Sequence, residues 1–227
     1  MNNNKKKVAL FDLDGTLISA HIWTGLFRHN LKKKINRFPA IWYLISHLAL
    51  TPFWKMKLIP TEKYYQSWGK DIAQMVKGLT QEKAREIFDW LAHYYLLPTL
   101  RKSVLEKLKK HQEEGYLTVL LSGSFQELLE IVARQLNIDF VIGTELDVVK
   151  NKLTGRIIPP LCFSQGKIEK LNRFLTEQNL TVDLKESFAY ADGFFDLPVL
   201  EMVGHPVVVE PDEKLLEIAK NRNWQII

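Results

Sequence analysis

The chain has 227 residues, of which 46% are hydrophobic and 25% charged, a composition typical of a folded globular protein and not of a disordered chain. Its length suits one large domain, or one domain that carries a sizeable insertion. A single cysteine, Cys162, excludes an internal disulfide, and the N-terminus lacks the apolar stretch of a secretory signal, so we expect a cytoplasmic location.

The net charge of +5 is unevenly distributed along the chain. No acidic residue occurs between Asp14 and Glu62, and the same stretch is rich in basic and aromatic residues. Such a segment can attract an anionic membrane surface, a nucleic acid or a phosphorylated substrate. The alternative is a helical subdomain whose aromatic side chains form its own core and whose lysines are only solvated.

The first predicted element is a buried strand over Val8–Phe11, which ends in a turn at Asp12-Leu-Asp-Gly-Thr16. From about Leu17 to Leu97 the apolar residues recur with helical periodicity. Within this block the segment 38–50 is apolar almost all round, but it is shorter than the ~20 residues that a membrane-spanning helix needs. Pro39 and Pro52 bracket this segment and are expected to limit it.

After Pro98 short apolar strands alternate with amphipathic helices. The pattern predicts helices over 102–114, 126–136, 165–178 and 213–221 with a short helix from 196, strands over 118–121, 140–142, 188–191, 207–209 and 225–227, and a hairpin over 145–158. Such alternation favours parallel pairing. We therefore predict an α/β fold with a doubly wound parallel sheet (a Rossmann-like core) formed by 1–17 and 98–227. An α-helical cap domain, 18–97, is inserted after the first strand, and the core carries a small β-hairpin.

Acidic residues follow two of the predicted strands, at the edge where open parallel sheets carry their sites. Asp12 and Asp14 follow the first strand, and Asp192 follows strand 188–191. On extended backbone Asp12 and Asp14 would share a face, and together with Asp192 they would form a hard, all-oxygen site that suits Mg²⁺. One aspartate could then attack a phosphoryl group while the other handles protons. Taken alone, the pair also fits a calcium loop or an ordinary Asx turn.

Groups suited to binding an anion follow the other predicted strands or begin helices. The Ser122 hydroxyl and the Gly123 N–H could present donors at a helix start, whereas the alternative for Ser122 is a plain N-cap. Lys167 begins a helix and could hold a phosphate, or it could be a solvated surface lysine. Asp196 opens the next helix, where direct metal contact and an N-cap or supporting role are equally open.

Four segments resemble, in order, the four motifs of the haloacid dehalogenase superfamily. They are Phe11-Asp-Leu-Asp-Gly-Thr-Leu17, Leu121-Ser-Gly-Ser124, Gly166-Lys167 and Ala191-Asp-Gly-Phe-Phe-Asp-Leu-Pro198. An insertion directly after the first motif is similar to the phosphoserine-phosphatase-like branch (subfamily IB), which carries a helical cap. The resemblance covers 1–17 and 98–227, and it is specific because all four motifs occur in order.

The resemblance implies a role for each matching residue. Asp12 would be the nucleophile that forms an aspartyl-phosphate, and Asp14 would be the general acid and base and would give its backbone carbonyl to Mg²⁺. Ser122 and Lys167 would bind the phosphoryl group. Asp192 would complete the metal site with Asp12 and Asp14, and Asp196 would support it.

The chain departs from the family pattern at two places. Phosphoserine phosphatases usually carry a glutamate shortly after the first motif to hold the substrate's amino group, whereas Ser19-Ala-His-Ile-Trp23 has none. Phosphoserine is therefore not the expected substrate. The family also often has asparagine directly before the last aspartate, where this chain has Phe195, which removes a polar contact near the metal.

The sequence thus predicts a Mg²⁺-dependent phosphatase that acts on a small-molecule phosphomonoester, with the cap composition favouring a bulky or lipid-like one. One alternative is a phosphotransferase or mutase with the same covalent chemistry. Another is a non-catalytic protein that binds a membrane surface or a nucleic acid, against which the intact charged residues argue. Peripheral contact of the basic cap with an anionic membrane is a separate expectation, nucleic acid is not an expected partner, and the oligomeric state stays open.

Overall fold

Seven strands pair into one sheet in the computed structural model, which describes residues 5–227. In chain order they are β1 (Val8–Phe11), β2 (Leu117–Phe125), β3 (Phe140–Val149), β4 (Lys152–Ile158), β5 (Phe188–Ala191), β6 (His205–Val208) and β7 (Gln225–Ile226). Their order across the sheet is β4-β3-β2-β1-β5-β6-β7. Neighbouring strands are parallel except β3 and β4, which form an antiparallel hairpin. The predicted α/β fold, with its doubly wound sheet and small hairpin, is confirmed.

Nine α-helices accompany these strands in the described part of the chain. They are α1 (Ile22–Lys33), α2 (Arg37–Lys55), α3 (Thr61–Asp71), α4 (Gln81–Leu91), α5 (Lys102–Glu113), α6 (Gln126–Leu136), α7 (Gln165–Glu177), α8 (Leu197–Met202) and α9 (Glu213–Asn221). No helix within residues 5–227 combines the length and the apolar character that crossing a bilayer requires.

The central strand β1 is buried on both faces because every one of its side chains is apolar. Successive side chains of a strand point to opposite faces, so Val8 and Leu10 join one hydrophobic core while Ala9 and Phe11 join the other. A strand covered on both faces is typical of a parallel sheet between helical layers. This packing fixes the end of β1, and with it the position of Asp12.

Helices α1 to α4 form a block between β1 and β2, and this block shares a core with the sheet. The Phe88 ring of α4 lies 5.7 Å from the Phe125 ring, and both belong to the same buried cluster. The block is also bonded to the hairpin, because the Gly78 N–H donates to the Leu153 carbonyl (2.7 Å) and the Leu153 N–H donates to the Leu79 carbonyl (2.8 Å). The division into a core and a separate cap domain over 18–97 stays a prediction.

Several predicted boundaries are wrong: β3 runs on from 142 into the hairpin, β6 begins at His205, and β2 and α2 both extend past their predicted ends. Strand β2 continues through Ser122 to Phe125, so Ser122 and Gly123 lie in the strand and not at a helix start. The strand continues because pairing with β3 resumes at Phe125 and Thr144 after an irregularity in register. Helix α2 passes through Pro52 and ends at Lys55, because a proline this near the end interrupts little of the remaining helix.

Candidate active site

The carboxyl ends of β1 and β5 bring three aspartates together. Asp12 follows β1, Asp192 follows the neighbouring β5, and Asp196 lies in the turn that leads into α8. One carboxylate oxygen from each lies within 4.8 Å of the others. Oxygen donors of this kind are the ligands that Mg²⁺ prefers in proteins.

Lys167, in the first turn of α7, joins two of these aspartates. Its Nζ lies 2.6 Å from Oδ1 of Asp12 and 2.5 Å from Oδ1 of Asp196. The lysine is only 4% exposed, so it is not the solvated surface residue of the alternative interpretation. The preceding glycine lets α7 approach this closely, because a side chain at Gly166 would meet the Leu161 carbonyl oxygen at 2.0 Å.

The charges of this cluster do not balance within the protein. If all three aspartates were ionised, Lys167 would leave two negative charges uncompensated. Burial, together with the neighbouring carboxylates and against the effect of Lys167, raises the pKa of Asp12 to about 8, and burial likewise raises the pKa of Asp192 to about 6. Burial alone would lower the pKa of Lys167, but Asp12 and Asp196 raise it above its ordinary value. The site therefore favours a further cation.

The turn after β1 holds Asp192 in place. Gly15 has a φ of +85°, and a side chain there would meet Oδ2 of Asp192 at 2.1 Å, so only glycine fits. The Thr16 hydroxyl donates to Oδ1 of Asp192 at 2.8 Å. Arg101 also supports the turn, because its Nε donates to the Gly15 carbonyl at 3.0 Å.

The Asp14 carboxylate borders the same cavity as the aspartate trio but has its own hydrogen-bond partners. Strand β1 ends at Phe11 and Asp14 forms an isolated β-bridge with Ile18, and the Asp14 carboxylate accepts hydrogen bonds from the Ile22 N–H at 2.6 Å and from the Ser124 hydroxyl at 2.5 Å. These bonds link the first turn to the start of α1 and to the end of β2. Burial raises the pKa of Asp14 even though both hydrogen bonds lower it, which favours the protonated form that a general acid requires.

Ser122 and Gly123 border the same cavity as the aspartates. Ser122 is 1% exposed, and its Oγ accepts a long hydrogen bond of 3.4 Å from the Ser124 N–H. The Gly123 carbonyl accepts a hydrogen bond from the Thr144 hydroxyl at 2.8 Å, which anchors this part of β2 to β3. The predicted phosphate-binding pair thus faces the site from the strand and not from a helix N-terminus.

A cavity of about 580 Å³ opens above these groups. Its floor is polar, and most of its walls are aromatic and come largely from the helical block. The aromatic residues that line it are Trp23, Tyr43, Trp54, Tyr64, Tyr65, Trp68, Phe125, Phe163 and Phe195. Of the aromatic residues between Asp14 and Glu62, which were expected either to form their own core or to attract an anion, Trp23, Tyr43 and Trp54 therefore line the candidate site.

Phe195 joins the core to this aromatic wall. Its ring centroid lies 5.1 Å from that of Tyr65 in α3 and 4.8 Å from that of Phe163. The residue that departs from the family pattern thus replaces a polar group near the aspartates with an apolar contact to the helical block.

Three supporting residues were not assigned a role from the sequence: Thr16, Arg101 and Ser124. Each acts through a partner far away in the chain or through a backbone carbonyl, which spacing does not reveal. Ser124 lies within the segment 121–124, which resembles a family motif, and this position is the sequence signal that could have identified it.

Comparison with known proteins identifies related sequences. The model of the haloacid dehalogenase-like hydrolase family matches residues 9–201. A histidinol-phosphatase of Neisseria meningitidis serogroup C (strain 8013) is 28% identical over 233 residues, which cover 98% of each chain.

Solved structures share the fold. A protein of unknown function from Bordetella pertussis Tohama I superposes with a TM-score of 0.82 at 22% identity, covering 99% of both chains. A phosphoserine phosphatase, solved as a phospho-aspartyl intermediate analogue, superposes with a TM-score of 0.65 at 20% identity and covers 98% of this chain and 93% of its own.

Proposed function

Because this chain belongs to the haloacid dehalogenase-like hydrolases, we propose that it hydrolyses a phosphomonoester by transferring the phosphoryl group to Asp12. The observation that carries the proposal is the position of Asp12. It lies at the end of a buried strand, at the floor of a large cavity, in contact with a buried lysine.

We further propose Mg²⁺ as the cofactor, held by Asp12 and Asp192 with Asp196 in contact or in support. Three converging carboxylates beside one ammonium group leave a negative charge that a divalent cation would balance. When bound, the cation would neutralise charge on the phosphate and the carboxylates, so that one anion can approach another. A contribution of the Asp14 carbonyl oxygen stays a prediction from the family resemblance.

In the first step an oxygen of Asp12 attacks phosphorus, and the bond from phosphorus to the ester oxygen breaks. Lys167 holds Oδ1 of Asp12, whereas Oδ2 accepts no hydrogen bond from any residue in the described range and is the oxygen that would attack. Asp14, whose pKa is raised by burial, would give its proton to the leaving alkoxide.

In the second step water attacks phosphorus, and the bond from phosphorus to Asp12 breaks. Asp14, now ionised, would accept the proton of the water, so that the acid of the first step is the base of the second. Lys167 and the Ser122 hydroxyl, with the Gly123 N–H, would hold the non-bridging oxygens during both steps. The net products are inorganic phosphate and the free alcohol.

The cavity favours a substrate with a bulky apolar or aromatic group. The residues that line it above the aspartates are mostly aromatic, and no glutamate of residues 5–227 is among them. Phosphoserine is therefore disfavoured, because its small charged groups would find neither a glutamate nor an apolar match among the described residues of the upper cavity, whereas a ring-bearing substrate would pack against the aromatic walls. The relative named histidinol-phosphatase suggests a ring-bearing phosphomonoester as a first candidate, and a lipid-like phosphate is the second.

Turnover of an aryl phosphate with and without Mg²⁺ tests the proposal, together with the Asp12→Asn variant. We expect Mg²⁺-dependent release of phosphate, and a loss of at least about 10³-fold in kcat on Asp12→Asn. Turnover that survives Asp12→Asn would contradict the mechanism. A panel of histidinol phosphate, phosphoserine and a lysophosphatidate then ranks the substrates, and phosphate transfer to the alcohol of another molecule would indicate a phosphotransferase.

A further inference from the structure

Helix α2 exposes a continuous apolar face. It buries only Ala40, Tyr43 and His47, and the opposite side of the helix carries large apolar side chains that are between 41% and 75% exposed. The members of this outer face are Phe38, Ile41, Trp42, Ile45, Leu48 and Phe53 of α2, and Met56 directly after the helix. Most neighbouring members of this face are three or four residues apart, about one helical turn, so they lie on one stripe along the helix.

A stripe of this kind is unusual on a monomer. Exposed apolar residues are normally scattered, and a contiguous patch along five turns of helix points to a binding surface. Nothing in residues 5–227 covers the outer face. The outer face is therefore available to a partner.

The charges around the outer face favour an anionic surface. Arg37 and Lys55 are 18 positions apart, about five turns, so they lie on the same flank of α2. Exposed lysines continue the positive charge beyond both ends, at Lys34 and Lys57, and no acidic residue occurs in α2. A helix with Trp and Phe on one face and basic residues beside it is typical of segments that lie in a membrane interface.

The same charges disfavour a second copy of the chain as the partner. A two-fold antiparallel pairing of α2 with α2 would bring Arg37 of each copy close to Lys55 of the other. With no acidic residue in the helix, these like charges would face each other without compensation.

We propose that the outer face of α2 binds the surface of an anionic membrane, with the helix lying in the plane of the interface. The inner face of the same helix presents Tyr43 and Trp54 to the cavity. Docking would therefore hold the cavity about one helix diameter from the lipid, roughly 10 Å away. Membrane binding through this face does not depend on the proposed hydrolysis.

Co-sedimentation with vesicles tests the proposal. We expect the full chain to pellet with phosphatidylcholine–phosphatidylglycerol vesicles, to pellet at least about tenfold less with pure phosphatidylcholine, and to dissociate in high salt. The double variant Trp42→Ala/Ile45→Ala should lose binding by about tenfold or more, whereas the control Tyr94→Ala/Val149→Ala, which truncates two exposed apolar residues elsewhere, should not.

A second pair of variants tests the charge. Arg37→Glu/Lys55→Glu should abolish the preference for anionic vesicles, and Lys109→Glu/Lys220→Glu, with the same change in net charge on the core, should retain it. Thermal unfolding and aryl phosphate turnover show that each variant is folded. Equal pelleting with both vesicle types, or none with either, would overturn the proposal. So would a dimer, seen by light scattering, that Trp42→Ala/Ile45→Ala dissociates, because the outer face would then bind a second copy.

Discussion

The ammonium group of Lys167 separates two carboxylates that would repel each other inside the protein. Its Nζ contacts Asp12 and Asp196, and all three groups are nearly or fully buried. Removing one partner of a buried ion pair leaves a charge with neither water nor a counter-ion, which costs far more than losing a surface ion pair. Lys167 is therefore expected to affect stability as well as chemistry.

We predict that Lys167→Met lowers the free energy of unfolding by about 3–5 kcal/mol in metal-free buffer at neutral pH. Urea unfolding measures the change. Lys170→Met is the matched control, because Lys170 is also buried in α7 but pairs with the half-exposed Glu145. We expect a smaller loss there, and equal losses for the two variants would show that the ion pair with Asp12 and Asp196 has no special cost.

A substitution at Gly15 tests whether the position of the Asp192 carboxylate affects Mg²⁺ binding. An alanine side chain at residue 15 would meet Asp192, so Gly15→Ala should displace that carboxylate and weaken Mg²⁺ binding by about tenfold to a hundredfold. The Mg²⁺ dependence of turnover and calorimetric titration measure this.

Gly78→Ala is the control for Gly15→Ala. Gly78 has a similar φ of +78°, but a side chain there meets nothing within 4 Å. Both variants should therefore lose stability through backbone strain, about 1 kcal/mol, while Mg²⁺ affinity falls only in Gly15→Ala. Equal Mg²⁺ affinity in both variants would argue against the role given to Asp192.

At the residue scale, the sequence predicted the charged residues of the site better than the hydrogen-bond partners that hold them in place. Sites of open parallel sheets lie at the carboxyl ends of the strands, which predicted Asp12 and Asp192 at one edge because both follow buried strands. The structure shows that these two strands are neighbours. The sequence did not reveal that the Asp14 carboxylate bonds to Ser124 and to the Ile22 N–H. Such partners depend on how the first turn bends, and the pattern of apolar residues carries no information about that.

At the scale of elements, the helical block supplies the cavity walls. Tyr65 in α3 packs against Phe195, so the block meets the core at the edge of the aspartate site. The backbone bonds between the residues before α4 and strand β4 attach the same block to the hairpin. Substrate selection is therefore expected to reside in α1 to α3, and the chemistry in the sheet.

We predict that Tyr65→Ala lowers kcat/KM for a naphthyl phosphate by about tenfold, because the ring stacks on apolar substrate groups. For glycerol phosphate, which lacks such a group, the change should be much smaller. Tyr94→Ala is the control, since Tyr94 is exposed and outside the cavity. An equal fall for both substrates would indicate a general defect and not substrate recognition.

The wrong predictions for β2 and α2 have the same cause. Polar residues at 122–124 interrupted the apolar run of β2, although the strand continues because its partner β3 also continues. The aromatic residues of α2 were expected to share one role, whereas the folded helix places some of them in the cavity wall and others on the outer face. Tertiary pairing decided both cases, and single-sequence periodicity does not include it.

At the scale of the whole molecule, a buried histidine behind the sheet affects stability. His111 of α5 is 3% exposed, and its Nε2 lies 2.8 Å from the Tyr190 hydroxyl, while its Nδ1 is buried without a hydrogen-bond partner among residues 5–227. Burial lowers the pKa of His111 from 6.5 to about 4, against the opposing effect of Glu114. Between about pH 4 and pH 6.5, His111 is therefore mostly unprotonated in the native state but mostly protonated in the unfolded state.

The contribution of His111 to stability is therefore expected to fall as the pH decreases from about 6.5 to about 4, because at this residue the unfolded state binds more protons in this range, whereas the raised pKa values of Asp12 and Asp192 act in the opposite direction. The contribution of His111 should have a slope of about 1.4 kcal/mol per pH unit and a total on the order of 3 kcal/mol. His111→Gln keeps a polar partner for Tyr190 without titrating, so the stability of the wild-type protein relative to that of the variant should decrease as the pH falls through this range. Urea unfolding across this range decides the matter, and parallel curves for the two proteins would refute the role of His111.

The central claim is that Asp12 carries the phosphoryl group, and the most direct test is to trap that state. The Asp14→Asn variant should form the aspartyl-phosphate but hydrolyse it slowly, because it lacks the base that accepts the proton of water. After mixing with an aryl phosphate and Mg²⁺ and quenching in acid, peptide mass spectrometry should find phosphate on the peptide that contains Asp12. Neutral hydroxylamine should release it, and Asp12→Asn should abolish it. Complete turnover without any label on that peptide, or a label that persists in Asp12→Asn, would contradict the account.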